Sequence, residues 1–207
     1  KVYAGLSCIC PELPFEVKLI ELEPQDTIDI GVFHINCLKV NHKITCYAYN
    51  VQVKRVGRFD VQKANALNIP KKLWSILQKQ QSVEFEGKTY TSDMVLGSPR
   101  KGIKVSYCTD TRPTKELPAF VENSDLFICE GMYGEKDKIQ KAKEYKHMMF
   151  TEAAEIAKKA NVNEMWLTHF SPAMPFPEEF LPSAKEIFEN THIGKDRKNV
   201  TLLFEED

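Results

Sequence analysis

The stretch KGIKVSYCTD, residues 101–110, is a β-prone run that ends in an aspartate. A second β-prone run, EMWLTH, residues 164–169, ends in a histidine. Loops at the carboxyl ends of strands can converge on one ion while the sheet beneath them stays rigid. A carboxylate from Asp110 and an imidazole from His169 are ordinary zinc ligands. The two stretches therefore predict a metal-dependent hydrolase site on an α/β fold.

The rest of the chain alternates between strand and helix patterns, which is typical of a layered α/β protein. We also expect the N-terminus to open in a strand. The predicted strands are 17–22, 27–30, 32–40, 44–53, 103–108, 125–130, 164–168 and 200–204, with a hairpin at 82–90. The predicted helices are 61–68, 71–78, 117–122, 135–145, 151–160 and 182–190.

Length and composition indicate one globular domain, since the 207 residues are 43% hydrophobic and 28% charged. The net charge of −1 means that any contact with nucleic acid depends on local basic patches. No apolar run reaches membrane-spanning length. Because the chain opens on Lys1 rather than methionine, we expect a longer gene product.

The cysteines lie mostly within apolar runs, which favours reduced, buried thiols in a cytoplasmic protein. Cys8 and Cys10 could join a structural zinc site, although one intervening residue is a poor spacing for it. The six cysteines are Cys8, Cys10, Cys37, Cys46, Cys108 and Cys129.

The segment 57–100 is rich in lysine and arginine, with Phe59 and Trp74 among them. On pattern alone it is either a solvated pair of helices over the sheet or a protruding basic arm that grips phosphates. Its candidate phosphate contacts are Arg58, Lys63, Lys71 and Lys72.

Three histidines are candidates for chemistry. His169 ends a strand, His42 lies between two strand-like runs, and His147 precedes a helix that we expect Thr151 to cap. His42 could instead be an exposed turn residue, His147 a surface residue before the cap, and His169 a core histidine, although a core histidine more often lies within the strand. Asp110 could be a simple turn or cap residue. Glu130 ends an apolar strand, where a carboxylate needs a partner, and it could orient His147. We expect His34 to be structural and His192 to be exposed.

An ordered set of motifs resembles ribonuclease Z, the tRNA 3′-end endonuclease of the metallo-β-lactamase superfamily. The motifs match from about Val32 to the C-terminus, and their combination with the 57–100 insertion is specific to that family. They are GRFD at 57–60, VLG at 95–97, RKG at 100–102, YCTDTRP at 107–113, His147 before Ala153 and Ala154, and LTHFS at 167–171.

The resemblance implies an αββα sandwich of two mixed sheets and a site with two zinc ions, although manganese suits the same ligands. Asp110 would bridge the ions, and His42 and His169 would each ligate one of them. His147 would protonate the leaving 3′-oxygen with support from Glu130. The arm, residues 57–81, would hold the elbow of a precursor tRNA bound to the partner subunit of a cytoplasmic homodimer.

The chain also departs from the family. The His-x-His-x-Asp-His run, which supplies three zinc ligands and the expected general base, does not occur. We therefore expect residues 1–207 to be the C-terminal two thirds of one domain, with all of the second sheet and part of the first. Such a fragment would hold one metal weakly and be inactive alone. Smaller departures are Lys71-Lys72, Met148-Met149-Phe150 and Ala173-Met174.

The resemblance implies hydrolysis of precursor tRNA after the discriminator base, which leaves a 3′-hydroxyl and a trailer with a 5′-phosphate. Two other functions stay open on the sequence. One is a general phosphodiesterase of the same superfamily that acts on small diesters. The other is a non-catalytic RNA-binding module that keeps the basic arm and needs no metal.

Overall fold

The computed structural model describes residues 2–10, 12, 14–24 and 26–205. The ends of the predicted domain 1–207 thus lie outside the described residues. The strands are β1 Thr27–Ile30, β2 Phe33–Lys39, β3 Tyr47–Arg55, β4 Ser82–Phe85, β5 Lys88–Thr91, β6 Arg100–Cys108, β7 Leu126–Glu130, β8 Met165–Thr168 and β9 Thr191–Ile193. The helices are α1 Val2–Ile9, α2 Val61–Ala66, α3 Lys71–Leu77, α4 Leu117–Phe120, α5 Ile139–Tyr145, α6 Phe150–Lys159 and α7 Leu181–Lys185.

A seven-stranded sheet carries the fold, in the order β1-β2-β3-β6-β7-β8-β9. Strands β1, β2, β3 and β6 pair antiparallel, whereas β6, β7, β8 and β9 pair parallel. The parallel half places the carboxyl ends of β6, β7 and β8 at the same edge of the sheet. Asp110, Glu130 and His169 lie at those ends, so the topology brings the predicted site residues together.

The main core lies between one face of this sheet and helices α4, α6 and α7. Phe127, Met165 and Leu167 point into it from the parallel strands and are completely buried. Helix α6 contributes Ala153 and Ala157, whose small side chains let the helix approach the sheet closely. The strands that carry the site loops are therefore closely packed against a layer of helices.

The opposite face of the sheet carries apolar side chains that stay partly exposed. Phe33 of β2 and Tyr107 of β6 are exposed by 47% and 45%. The described residues form two sheets: this seven-stranded sheet and the separate two-stranded hairpin β4–β5. The α/β class is confirmed, but the expected additional strands of a second sheet are not seen in the described part of the chain.

Several predicted elements are wrong. Residues 17–22 and 200–204 form no strand, and the N-terminus opens in α1 rather than in a strand. The predicted helix 182–190 shrinks to α7, and β9 follows it as a strand that was not predicted, paired parallel with β8. β-Branched residues favour a strand only where a partner edge is available, and sequence alone does not reveal that edge.

The arm has a hydrophobic core of its own. Helices α2 and α3 pack with the β4–β5 hairpin, so this core extends beyond residue 81 to Leu96. A narrow neck joins it to the sheet, where the Gly97 N–H donates to the Arg58 carbonyl at 2.8 Å. A Cβ on Gly57 would lie 2.1 Å from the Gly97 carbonyl oxygen, so only glycine fits there. The arm core consists of Ala64, Ile69, Leu73, Leu77, Val95 and Leu96.

In the described ranges, no helix has the length and apolarity that crossing a membrane requires.

Candidate metal-dependent active site

Asp110 and His169 meet at the sheet edge. Nε2 of His169 lies 3.0 Å from Oδ1 of Asp110, and both side chains are about one third exposed. Both residues adopt a left-handed backbone, with φ of 53° and 55°. Non-glycine residues rarely adopt this conformation, and it clusters at functional sites. The turn after each strand thus aims a ligand-type side chain at one point.

Glu130 and His147 form a second pair beside the first. The Glu130 carboxylate is fully buried and accepts hydrogen bonds from Nδ1 of His147 at 3.0 Å and the backbone N–H of Met148 at 3.0 Å. Its other oxygen accepts from the Thr111 N–H. Because these donors use both carboxylate oxygens, Glu130 orients His147 rather than competing for a metal.

His42 approaches the cluster from the turn after β2. Its Nδ1 lies 3.1 Å from the Lys146 carbonyl oxygen, which can only accept, so the bond leaves Nε2 free as a ligand atom. This use of one ring nitrogen to hold the other is common in metal-ligating histidines. The His147 ring lies 4.9 Å from the His42 ring and 5.3 Å from the His169 ring, centroid to centroid.

The donor set fits a metal ion. Asp110, Glu130, His147 and His169 each offer a ligand atom, and these atoms lie within 4.8 Å of one another. Since Glu130 and Nδ1 of His147 are already paired, the ligand-type side chains left in this group are Asp110 and His169. His42 lies outside the group, against the His147 ring, and would be a further ligand. One carboxylate and two imidazoles suit zinc. Cys8 and Cys10 are exposed and are not part of any such group in the described residues.

The thiols beneath the site are not ligand candidates. Burial, and next the negative charge of Glu130, raise the pKa of the Cys108 thiol far above its usual value. Burial also raises the pKa of Cys129, with the adjacent Cys108 as the next cause. Both thiols therefore stay protonated and act as small core residues.

The four predicted substrate contacts all lie on the arm, away from the strand ends. Nζ of Lys63 donates to the carbonyls of Asp93 and Leu96, at 2.5 and 3.1 Å, and so ties α2 to the neck. Nζ of Lys72 lies 3.7 Å from the centre of the Phe85 ring, and Nζ of Lys71 lies 6.0 Å from that of Trp74. Arg58 flanks Gly57 at the neck.

The departures from the family pattern that lie near the site serve packing, apart from the exposed Ala173. Met148 and Phe150 are completely buried, and Met149 and Met174 nearly so. Met149, rather than the expected Thr151, occupies the N-cap position of α6, where its backbone N–H donates to Glu152. His34 pairs with Asp29 in the sheet, as a structural histidine should. His192, expected in an exposed loop, lies in β9 and is half-buried.

Sequence reasoning missed one ion pair of the site. Arg112 and Glu152 form a two-pronged ion pair beneath the His147 loop. They are 40 positions apart, so no spacing rule connects them. The signals available in sequence were only the arginine in YCTDTRP and an acidic residue in the first turn of α6.

Comparison with known proteins shows the family of the chain. No family model matches the chain. A curated relative from Agathobacter rectalis, named ribonuclease Z, is 54% identical over 208 residues, which cover 100% of this chain and 69% of that protein. The chain belongs to the ribonuclease Z family. A second ribonuclease Z, from Lachnoclostridium phytofermentans, is 51% identical and is covered over 68% of its length.

A solved structure supports the same fold. The metallo-β-lactamase fold protein YhfI from Bacillus subtilis superimposes with a TM-score of 0.55 at 23% identity. The match covers 86% of this chain and 53% of that one, so the chain spans about half of the YhfI structure. The predicted ribonuclease Z family, its endoribonuclease class and the metallo-β-lactamase fold are confirmed.

Proposed function

We propose that this ribonuclease Z chain is the C-terminal part of a zinc-dependent endoribonuclease. Its substrate is precursor tRNA, which it cleaves after the discriminator base to leave a 3′-hydroxyl. The observation that carries the proposal is the Asp110–His169 pair beside the buried Glu130–His147 pair. One pair suits a metal and the other suits proton transfer. The membership of the chain in a family of endoribonucleases supports the choice of substrate.

Each residue has a proposed role. His42, Asp110 and His169 would hold zinc, which when bound would supply a Lewis acid for activating water and neutralising phosphate charge. Nε2 of His147 donates a proton to the 3′-oxygen as that oxygen leaves phosphorus. Because Glu130 accepts from the Nδ1–H of His147, the ring is held in one orientation, and the proton donated from Nε2 is the second proton of the doubly protonated ring. Asp110 and His169 thus follow the ends of β6 and β8, and His147 lies in the loop before α6, where Glu130 at the end of β7 holds it.

The complete enzyme needs further ligands. The ligands His42, Asp110 and His169 fall short of what two metals require, so we propose that residues 1–207 alone bind at most one metal and do not cleave. A His-x-His-x-Asp-His segment from the remainder of the enzyme would complete the site. We further propose that the enzyme is a cytoplasmic homodimer.

The arm is proposed as the tRNA-binding element. Its separate hydrophobic core and narrow neck are properties of a module that reaches away from the sheet. Lys71 and Lys72 follow Pro70 at the start of α3, and phosphate contacts need such cations. The arm would hold the elbow of a tRNA whose cleavage site lies in the partner subunit.

Deleting the arm tests this function. In the full-length zinc-loaded protein, residues 58–96 would be removed and Gly57 joined to Gly97. We expect precursor-tRNA cleavage to collapse while hydrolysis of a small nitrophenyl phosphodiester persists. Equal loss on both substrates would argue against a tRNA-binding arm. Equal retention on both would favour a general phosphodiesterase.

A further inference from the structure

Arg112 bridges the chemistry-bearing loop to helix α6. Its side chain is 15% exposed and pairs with the Glu152 carboxylate through both terminal nitrogens, with Nη1 2.7 Å from Oε2. The same Nη1 donates to the backbone carbonyl of His147 at 2.6 Å. A planar guanidinium fork presents its donors to a carboxylate and a carbonyl in one fixed arrangement, whereas the ammonium of lysine is a point charge without that fork.

Glu152 also contacts the loop that carries His147. Its Oε2 accepts from the backbone N–H of Met149 at 2.9 Å. Arg112 and Glu152 therefore hold the peptide groups on both sides of Met148. Glu130 holds Met148 N–H and the ring of His147 from the opposite direction. The loop that carries His147 is thus fixed between two carboxylates and one guanidinium.

The backbone of Arg112 also fixes the turn before His42. The Arg112 N–H donates to the Asn41 carbonyl at 3.0 Å. The Asn41 N–H donates to the Thr111 hydroxyl at 3.0 Å. The first contact comes from the main chain of Arg112 and the second from the side chain of Thr111, so changing the Arg112 side chain leaves both available. The side chain acts on the His147 loop, and the main chain acts on the His42 turn.

We propose that Arg112 is a positioning residue that holds His147 where it can protonate the leaving oxygen. The inference rests on the proposed function. It predicts that changing the Arg112 side chain slows the reaction most when the leaving group must be protonated in order to leave. The 3′-oxygen of RNA leaves as a poor alkoxide unless it is protonated, whereas p-nitrophenol is acidic enough to leave as its anion.

The test compares two substrates on Arg112→Lys in the full-length zinc-loaded protein. With precursor tRNA, we expect kcat to fall roughly 10- to 100-fold, the loss that a small misplacement of a catalytic group causes. KM should stay near the wild-type value. With a p-nitrophenyl phosphodiester, the rate should stay close to wild type. His147→Ala should give the same contrast between substrates.

Three further variants and one measurement isolate the side chain. Glu152→Gln should reproduce the contrast if Arg112→Lys does not fold, and Arg112→Met should be more impaired than Arg112→Lys. Lys195→Met removes an exposed ion pair with Glu178 and should leave both rates unchanged. The zinc content per chain should not change in Arg112→Lys.

Other outcomes would overturn the inference. Equal loss on both substrates would mean that Arg112 only supports the fold. Loss of zinc would mean that it acts through the metal ligands rather than through His147. A wild-type protein that hydrolyses the nitrophenyl diester but not precursor tRNA would overturn the proposed function itself, and this inference with it.

Discussion

Asp110 and His169 leave different strands through the same left-handed turn, and their side chains meet 3.0 Å apart. For residues other than glycine, such a conformation costs roughly 1–3 kcal/mol unless the surrounding structure compensates. The parallel pairing of β6, β7 and β8 supplies that support, because it holds both turns on one rigid edge. The packing of the sheet therefore offsets the conformational cost of the two turns.

Asp110→Asn should separate the backbone role of Asp110 from its chemical role. Asparagine tolerates the left-handed conformation, so we expect the fold to persist. Without the carboxylate, zinc affinity and precursor-tRNA cleavage by the full-length protein should each fall about 100-fold, the upper loss seen even for outer partners of metal sites. Asp137→Asn, at a carboxylate that is 72% exposed, is the matched control. Full activity of Asp110→Asn would sink its assignment as a ligand.

Glu130→Gln should lower the free energy of unfolding as well as the rate of cleavage. The amide NH₂ would face one of the donors that the carboxylate now accepts, and each buried donor left unpaired costs about 1–3 kcal/mol. Urea unfolding should show a lower midpoint with an unchanged slope. Glu189→Gln, at an exposed position, should leave the midpoint unchanged. An unaltered midpoint for Glu130→Gln would contradict the hydrogen bonds described here.

Gly57→Ala should disturb how the arm is held. Its new Cβ would lie 2.1 Å from the Gly97 carbonyl oxygen, so the neck must open. We expect weaker precursor-tRNA cleavage with little change on a small diester. Gly97→Ala is a control in the same neck, because its Cβ would meet Arg58 at an ordinary 3.5 Å. If the two variants behave alike, the close approach at Gly57 does not set the arm geometry.

Thiol reactivity should follow burial. Iodoacetamide at neutral pH should label the exposed Cys8 and Cys10 and spare Cys108 and Cys129 until the chain unfolds, as peptide mass spectrometry can show. Burial raises the pKa of Cys108 and Cys129, so the folded state keeps protons that the unfolded state loses near pH 9. The free energy of unfolding should therefore be insensitive to these thiols below pH 9 and fall as the pH rises above it. Early labelling of Cys108 in the folded protein would contradict its burial.

Much of the parallel half of the fold could be predicted from local pattern. The strands ending at Cys108, Glu130 and Thr168 are apolar runs bounded by turn signals, and the structure places β6, β7 and β8 there. The runs at 17–22 and 200–204 have similar composition but form no strand. Composition records strand propensity, whereas strand formation needs a partner at the correct register.

The candidate site divides in the same way. Asp110, Glu130 and His169 could be singled out because each ends an apolar strand, and sheet geometry brings such ends together. Lys63 was predicted as a phosphate contact, and the structure adds that its Nζ donates hydrogen bonds to the carbonyls of Asp93 and Leu96, which the sequence does not reveal. Side-chain contacts of this kind depend on residues that are distant in sequence.

By itself, the sequence determined the residue types at the strand ends and the family to which they belong, because these follow from local order along the chain. Only the tertiary structure decided what surrounds them. The Arg112–Glu152 pair and the triple use of the Glu130 carboxylate arise from elements brought together by packing. Hydrogen bonds reach only about 3 Å, so their partners are fixed by three-dimensional proximity and not by sequence spacing.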